Sequence, residues 1–390
     1  MKIKVQSNQP TIIIGGDFVP RFRILEKFSQ HSFDETISSL KEMADACDFS
    51  MLNLECPIIP DDIHAAPIVK TGPNLKVSPV AIDALKYIGI NAVTLANNHF
   101  RDYGDEGVKS TIRLLDNSAI AHVGGGVNIN EASKPLRVEL GDKKISIINA
   151  CEHEWSIADK DKAGSNPIDV IDLYNVLAEE KRWADFIIVV THGGRELFRL
   201  PTPRMKKLYR HLIDCGADVV INHHQHCFSG YELYKDSPIF YGLGNLVFDK
   251  GQNAPKGWNE GYLVKLTIGS KISFELIPYV QCKLTPTFEL VHDRTEFDAK
   301  ISEINNIISD DDKLFHEYEK VTKNCIPIVK GVIEPYLGRL HKGLINKMNG
   351  PYLQTDKGYR TLLAHLQCET HYDIFMASLK SIVNGKQQSQ

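Results

Sequence analysis

An α/β protein is what this 390-residue sequence predicts, with a second, more antiparallel sheet and a helical C-terminal region. Three textures predict it. Apolar β-rich runs alternate with helical patterns over the first half, apolar runs crowd together from Lys144 onward, and helical spacing dominates after about Pro286. Alternation is the mark of strand and helix units in one sheet, and closely spaced strands favour antiparallel pairing.

In chain order, TIIIGG predicts a strand, FDETISSLKEMADAC a helix, FSMLNLE a strand, SPVAIDALKYIG a helix and NAVTLA a strand. The later runs KISIINA, DFIIVVTH, ADVVINHH, SPIFYGLG, GYLVKLTIG and KISFELIPYV each have strand length and β-branched content. Beyond them, Phe297, Ile301, Ile304 and Ile308 recur at helical intervals. Residues 1–288 therefore read as the sheet-bearing domain and residues 289–390 as a helical region, acting as a lid, an oligomer contact or structural support.

Composition narrows the function. At 43% hydrophobic and 24% charged residues the chain is an ordinary globular protein, and a net charge of −4 with no basic block argues against nucleic acid. The apolar run Thr11 to Ile14 is far shorter than a signal peptide core or a membrane span. The eight cysteines are dispersed without a C-x-x-C pair. Reduced thiols in the cytoplasm are the expectation.

Chemistry collects at strand ends, where open α/β sheets place it. One strand run ends in Asp17, one in Glu55, one in Asn97, Asn98 and His99, one in His192, and one in His223, His224 and His226. A single histidine after a strand is usually a structural residue. Five runs that deliver a carboxylate, amide or imidazole to the same kind of place point to a metal site. Such mixed donors suit zinc, iron or manganese, and a carboxylate can bridge two cations about 4 Å apart, the clamp used for phosphoryl displacement.

The blocks GGD, NLECPI, LANNHFRDYGDEGV, GGGVNINEASKP, THGGREL, CGADVVINHHQH and IFYGLGNLVFD resemble, in order, the motifs of the CapA-type capsule synthesis (poly-gamma-glutamate synthesis) family, a branch of the calcineurin-like metallophosphoesterases. The resemblance covers roughly residues 10–250. It implies two mixed β-sheets sandwiched and flanked by helices, and two divalent ions. It assigns Asp17 to the first ion, Glu55 to the bridge, Asn98, His192 and His224 to the second ion, and His226 to the first. His99 takes the place of a histidine that acts beside the scissile phosphate, as general acid or oxyanion stabiliser. Alternation along an extended segment predicts His224 and His226 facing the site and His223 turning aside.

Departures from the pattern matter. Val19 stands two residues after Asp17, where the wider superfamily has a ligating histidine, so the first ion lacks a usual donor. Asn222 and Gln225 replace a usual glycine and proline, and no membrane anchor is read where capsule-assembly members typically carry one. Glu152 or Glu154, after the KISIINA strand, can supply the missing donor or grip substrate. Asn97 and Arg195 are further candidates for substrate binding, Arg195 through a planar fork suited to phosphate or carboxylate. Lys70 reads as a surface lysine. GGG at Gly124 to Gly126 lacks the following G-K-S/T of a phosphate-binding loop.

These readings converge on a metal-dependent phosphatase or phosphodiesterase acting on a small phosphorylated, sugar-type metabolite. Two others stand beside it: a capsule or poly-gamma-glutamate protein with amide chemistry, and a non-catalytic assembly or binding component. The partner is then a small anionic substrate or a capsule-related polymer, and an oligomer is compatible with either.

Overall fold

The structure is a computed structural model that describes residues 1–3, 5, 9–333 and 356–387. Its strands are β1 (Lys2–Ile3), β2 (Thr11–Phe18), β3 (Phe49–Leu54), β4 (Ala92–Thr94), β5 (Ala121–Val123), β6 (Gly125–Gly126), β7 (Leu136–Leu140), β8 (Lys143–Cys151), β9 (Gly164–Ser165), β10 (Phe186–His192), β11 (Val219–His223), β12 (Tyr231–Tyr234), β13 (Ser237–Phe240), β14 (Asn245–Val247), β15 (Glu260–Ile268), β16 (Ile272–Gln281) and β17 (Phe288–Leu290). All but β6 and β9, which pair with each other, form two large mixed sheets. One runs β17-β16-β15-β2-β3-β4-β5 with β14 alongside β2, and the other runs β1-β7-β8-β10-β11-β13-β12. The predicted mixed α/β sandwich is the observed architecture.

In each sheet the central strands are parallel and the outer hairpins antiparallel. Parallel strands covered on both faces must be apolar throughout, which explains continuous runs such as IIVV in β10. On β2 and β3 the side chains sort by parity. Ile12, Ile14, Phe49 and Met51 enter the core that also takes in the second sheet, whereas Ile13, Leu52 and Leu54 enter a separate core with the helices Phe22–Ser29, Phe33–Asp45 and Val80–Ile88.

Residues after 288 are not set apart from the sheets. Strand β17 crosses the expected 288/289 boundary and pairs with β16. The helix Thr295–Ile308 buries Phe297, Ile301, Ile304 and Ile308 in the inter-sheet core, as its spacing predicts. Among the described residues no helix is long and apolar enough to cross a membrane, and the cysteines are all unpaired.

The glycine pair in GGD has a steric cause. A Cβ on Gly16 would lie 1.8 Å from the Gly244 carbonyl oxygen, on the backbone that brings β14 against β2. Backbone cannot yield as a flexible side chain does. Gly16→Ala is therefore expected to cost roughly 3 kcal/mol or more, read as a lowered denaturant midpoint with an unchanged slope. An unchanged midpoint would contradict this packing.

Candidate metal centre

The site lies between the C-terminal ends of the central strands of both sheets. Its first carboxylate depends on a bulge. Ile14 pairs with Met51 but Asp17 pairs with Asn53, so three residues on β2 span two on β3 and the Gly15-Gly16 segment shifts parity by one. Asp17 thereby leaves the face of Ile13 and joins that of Ile14, Met51 and Asn53, while Phe18 packs into the outer core. Asn53 donates to Asp17 Oδ1 at 2.7 Å.

Two donor sets result, with their ligand atoms within 4.8 Å of one another: Asp17, Glu55 and His226 in one, and Glu55, His192 and His224 in the other. Glu55 belongs to both, and it is fully buried. In the second set, His192 Nε2 lies 3.1 Å from Asn98 Oδ1, 3.1 Å from His224 Nδ1 and 3.4 Å from Glu55 Oε1. In the first, His226 Nδ1 lies 3.5 Å from Asp17 Oδ2 and 3.8 Å from Glu55 Oε2. Six residues predicted as ligands, Asp17, Glu55, Asn98, His192, His224 and His226, thus come together.

Electrostatics mark the place as built for positive charge. Asp17 Oδ2 and both Glu55 oxygens are buried without a hydrogen-bond partner. Buried carboxylate oxygens of that kind are costly unless a cation answers them. Burial, and then the Asp17 charge, push Glu55 well above the usual carboxylate range. Burial alone would also raise Asp17, but the nearby His226 and His223 rings, with the Asn53 hydrogen bond, hold it below its ordinary value. Burial opposes charge on His226, and Glu55 and Asp17 override it, to about 10. Burial and the neighbouring histidines drive His192 well below its ordinary value, which leaves it neutral and able to ligate. Oxygen and imidazole donors in these sets fit divalent cations.

His224 and His226 reach the site differently from the extended alternation that the sequence suggests. Both have left-handed backbones, with φ of 91° and 55°, so the chain coils after β11 and turns both rings inward. The His226 ring is held by Trp258 and Phe248, with centroids 4.7 and 5.6 Å away, and by Asn245, whose Oδ1 is 3.0 Å from Nδ1.

His99 sits beside these sets as half of a dyad. Its Nδ1 is 2.6 Å from Asp102 Oδ2, and Asp102 is also ion-paired with Lys70 and accepts from the Leu75 amide at 2.7 Å. Burial, helped by the Lys70 charge, brings His99 down to about 4 against the pull of Asp102. The ring is therefore neutral near pH 7, and a proton on Nδ1 is the tautomer that lets it donate to Asp102. The loop carrying it is pinned on both sides: Asn149 Oδ1 accepts from Ala96 N at 2.7 Å, and Ser156 donates to the Asn98 carbonyl at 2.7 Å.

Several sequence expectations change. His223 does not turn aside; it is buried, pairs in register with His192 and lies 3.7 Å from Asp17. Lys70 is not a surface lysine, for its side chain is 3% exposed. The Asn97 amide is taken up by the protein, donating to the Leu54 carbonyl at 2.8 Å and accepting from His99 N at 3.1 Å, so it holds the turn.

Glu152 is committed to Arg204, Thr370 and the Gly194 amide, and Glu154 lies 4.0 Å from His224, on the side of the second donor set. Neither stands in for the donor lost at Val19. Arg195 lies half-buried in the loop after β10 beside the exposed Glu196, a carboxylate that His226, His224 and His99 hold below its ordinary value.

The last helix, Glu369–Gln387, docks at this rim. Thr370 donates to Glu152 at 2.7 Å, Glu369 accepts from His153 N at 2.9 Å, and Arg204 Nε meets Asp373 at 2.7 Å. Cys368 and His371 come within reach of Glu154.

Sequence reasoning missed Asn53, Asp102, Glu196 and Asn245. Two of them carried a local signal. Asn53 lies two before Glu55 in the run FSMLNLE, whose alternation sets both on one face, and Asp102 lies three after His99 in a turn.

Residues 11–250 match the family described as bacterial capsule synthesis protein PGA_cap. The chain is 27% identical over 261 residues to the capsule biosynthesis protein CapA of Bacillus anthracis, covering 65% of this chain and 64% of that relative. It is 30% identical over 181 residues to the PGA biosynthesis protein CapA of Bacillus subtilis, covering 46% and 48%. The chain thus spans from about half to somewhat under two thirds of these relatives' own lengths. Among solved structures, a 5′-nucleotidase from Candida albicans superposes with a TM-score of 0.39 at 9% identity, over 70% of this chain and 52% of that one, too low a likeness to carry an argument.

Proposed function

Because the chain belongs to the bacterial capsule synthesis PGA_cap family, we propose that it is a metal-dependent hydrolase within that family, acting on a phosphoric ester of a small, sugar-type metabolite. The observation that carries this reading is Glu55: a fully buried carboxylate with both oxygens unpartnered, shared by an Asp17–His226 set and a His192–His224 set. Asp17, Glu55 and His226 would hold one divalent ion, and Glu55, Asn98, His192 and His224 the other, as manganese, iron or zinc. Two such ions, when bound, supply Lewis acidity toward a phosphoryl oxygen and activate water.

The chain's own residues supply the rest. Asp102 orients the His99 ring and ties up Nδ1–H, leaving Nε2 as the atom that exchanges a proton with the substrate. Lys70 balances Asp102, so that carboxylate stays paired when an anionic substrate arrives. A dianionic ester near His99 would raise the ring from its low resting value, which favours a proton on Nε2 for the leaving group. Arg195 offers a further anion contact from the rim. The Glu369–Gln387 helix is tied to that rim through Thr370 and Glu152.

The relatives' names favour a second reading, in which the same centre acts on a capsule polymer by amide chemistry or serves assembly without turnover. Assaying manganese-loaded protein against an aryl phosphate, a sugar phosphate and a glutamyl amide separates them. Phosphate release supports the first reading, amine release the amide form of the second, and neither product with metal bound the assembly role.

A further inference from the structure

We infer that His223 is the protein's own replacement for the donor missing at Val19, a ligand of the first ion supplied from the second sheet. This rests on the reading above that Asp17, Glu55 and His226 hold an ion. Val19 itself is fully buried in the outer core with Phe18 and Ile24, and offers that ion nothing.

Register comes first among the reasons. His223 pairs with His192 across the parallel β10–β11 ladder, and register partners share a face of a sheet. His192 projects between the sheets into the second donor set, so His223 projects between them too. Thr191 and Asn222, one residue back, hydrogen-bond each other on the opposite face, where Asn222 also accepts from Tyr209 of the covering helix Pro203–Asp214. Distance comes second. His223 Nδ1 lies 3.7 Å from Asp17 Oδ1. Two donors that each reach an ion at about 2.1 Å can share it when they are up to about 4.2 Å apart.

The third reason is hydrogen bonding. His223 is 2% exposed, and both its ring nitrogens are buried without a partner. A buried imidazole in that condition carries an uncompensated cost unless something binds it. Two other polar groups near the first set are already engaged: Asn53 donates to Asp17 Oδ1, and Asn245 donates to the carbonyls of His226 and Trp258 and faces His226 Nδ1 through its oxygen. His223 is an imidazole without a partner on the side of Asp17.

The test compares wild type, His223→Leu and His223→Gln, each stripped of metal and titrated with Mn2+ by calorimetry, with bound metal counted by plasma mass spectrometry. Wild type is expected to take two ions per chain. His223→Leu should keep the second and bind the first at least tenfold more weakly, since perturbing even the partners of ligands costs roughly 10- to 100-fold. A second readout guards against misfolding. Leucine removes an unsatisfied polar group of similar size, so metal-free His223→Leu should melt no lower than wild type while losing part of the metal-dependent rise in melting temperature. His223→Gln, which keeps a polar donor, should fall between. Two ions bound by His223→Leu with wild-type affinity and an undiminished rise would overturn the inference while leaving the two-ion centre standing. Wild type that binds no second ion would overturn the centre and this inference together.

Discussion

His224→Ala is expected to lose one bound ion and to hold the other, with a folded structure and a cooperative thermal transition retained. His224 belongs only to the set of Glu55, Asn98 and His192, and the sheets that position its neighbours are built from apolar contacts that the substitution does not touch. His192→Ala should behave alike. Glu55→Ala should differ, because that carboxylate is common to both sets and its loss should empty both. The affinity lost at each affected site is expected to be roughly 100-fold or more, above the 10- to 100-fold typical of residues that merely support a ligand. Metal counted by plasma mass spectrometry after desalting gives the answer. Equal losses in His224→Ala and Glu55→Ala would contradict the shared position of Glu55, and no loss in any of the three would contradict the centre.

His99→Asn should do the opposite: metal content unchanged and turnover reduced by roughly 10²- to 10⁴-fold, the usual worth of a positioned acid or base. The dyad geometry supports this, since Nδ1 is engaged by Asp102 and His99 belongs to neither donor set. The loss should be largest for alkyl phosphates and smaller for a nitrophenyl ester, whose leaving group needs little protonation. Comparing kcat on the two substrates checks it. An equal loss on both would assign His99 to charge stabilisation, and full activity on both would remove it from the chemistry.

Much of the site is legible in the sequence because each expected ligand stands at the end of an apolar run, and parallel strands bring their C-terminal ends to one edge. Asp17, Glu55, Asn98, His192, His224 and His226 all follow that logic. What is not legible depends on register and distant contacts. Asp17 faces inward only because a bulge at Gly15-Gly16 shifts parity, and the pair of glycines hints at a bulge without giving its direction. His223 looks turned aside if the strand is imagined to continue through His226, but the backbone coils at His224. Lys70 lies 29 positions from His99, and nothing local shows that Asp102 will draw its side chain inside. The docking of Thr370 on Glu152 joins residues 218 apart, beyond any periodic pattern. The boundary expected at 288/289 rests on a change of texture, whereas β17 and the helix Thr295–Ile308 carry sheet pairing and core packing past it.

The most direct test of the account is a crystal structure of the manganese-loaded protein with data collected at a wavelength where manganese scatters anomalously. The account predicts two anomalous peaks about 4 Å apart on either side of Glu55, one against Asp17 and His226 and the other against Asn98, His192 and His224. A map without peaks between the two sheets, or with its peaks only at other residues, would contradict it.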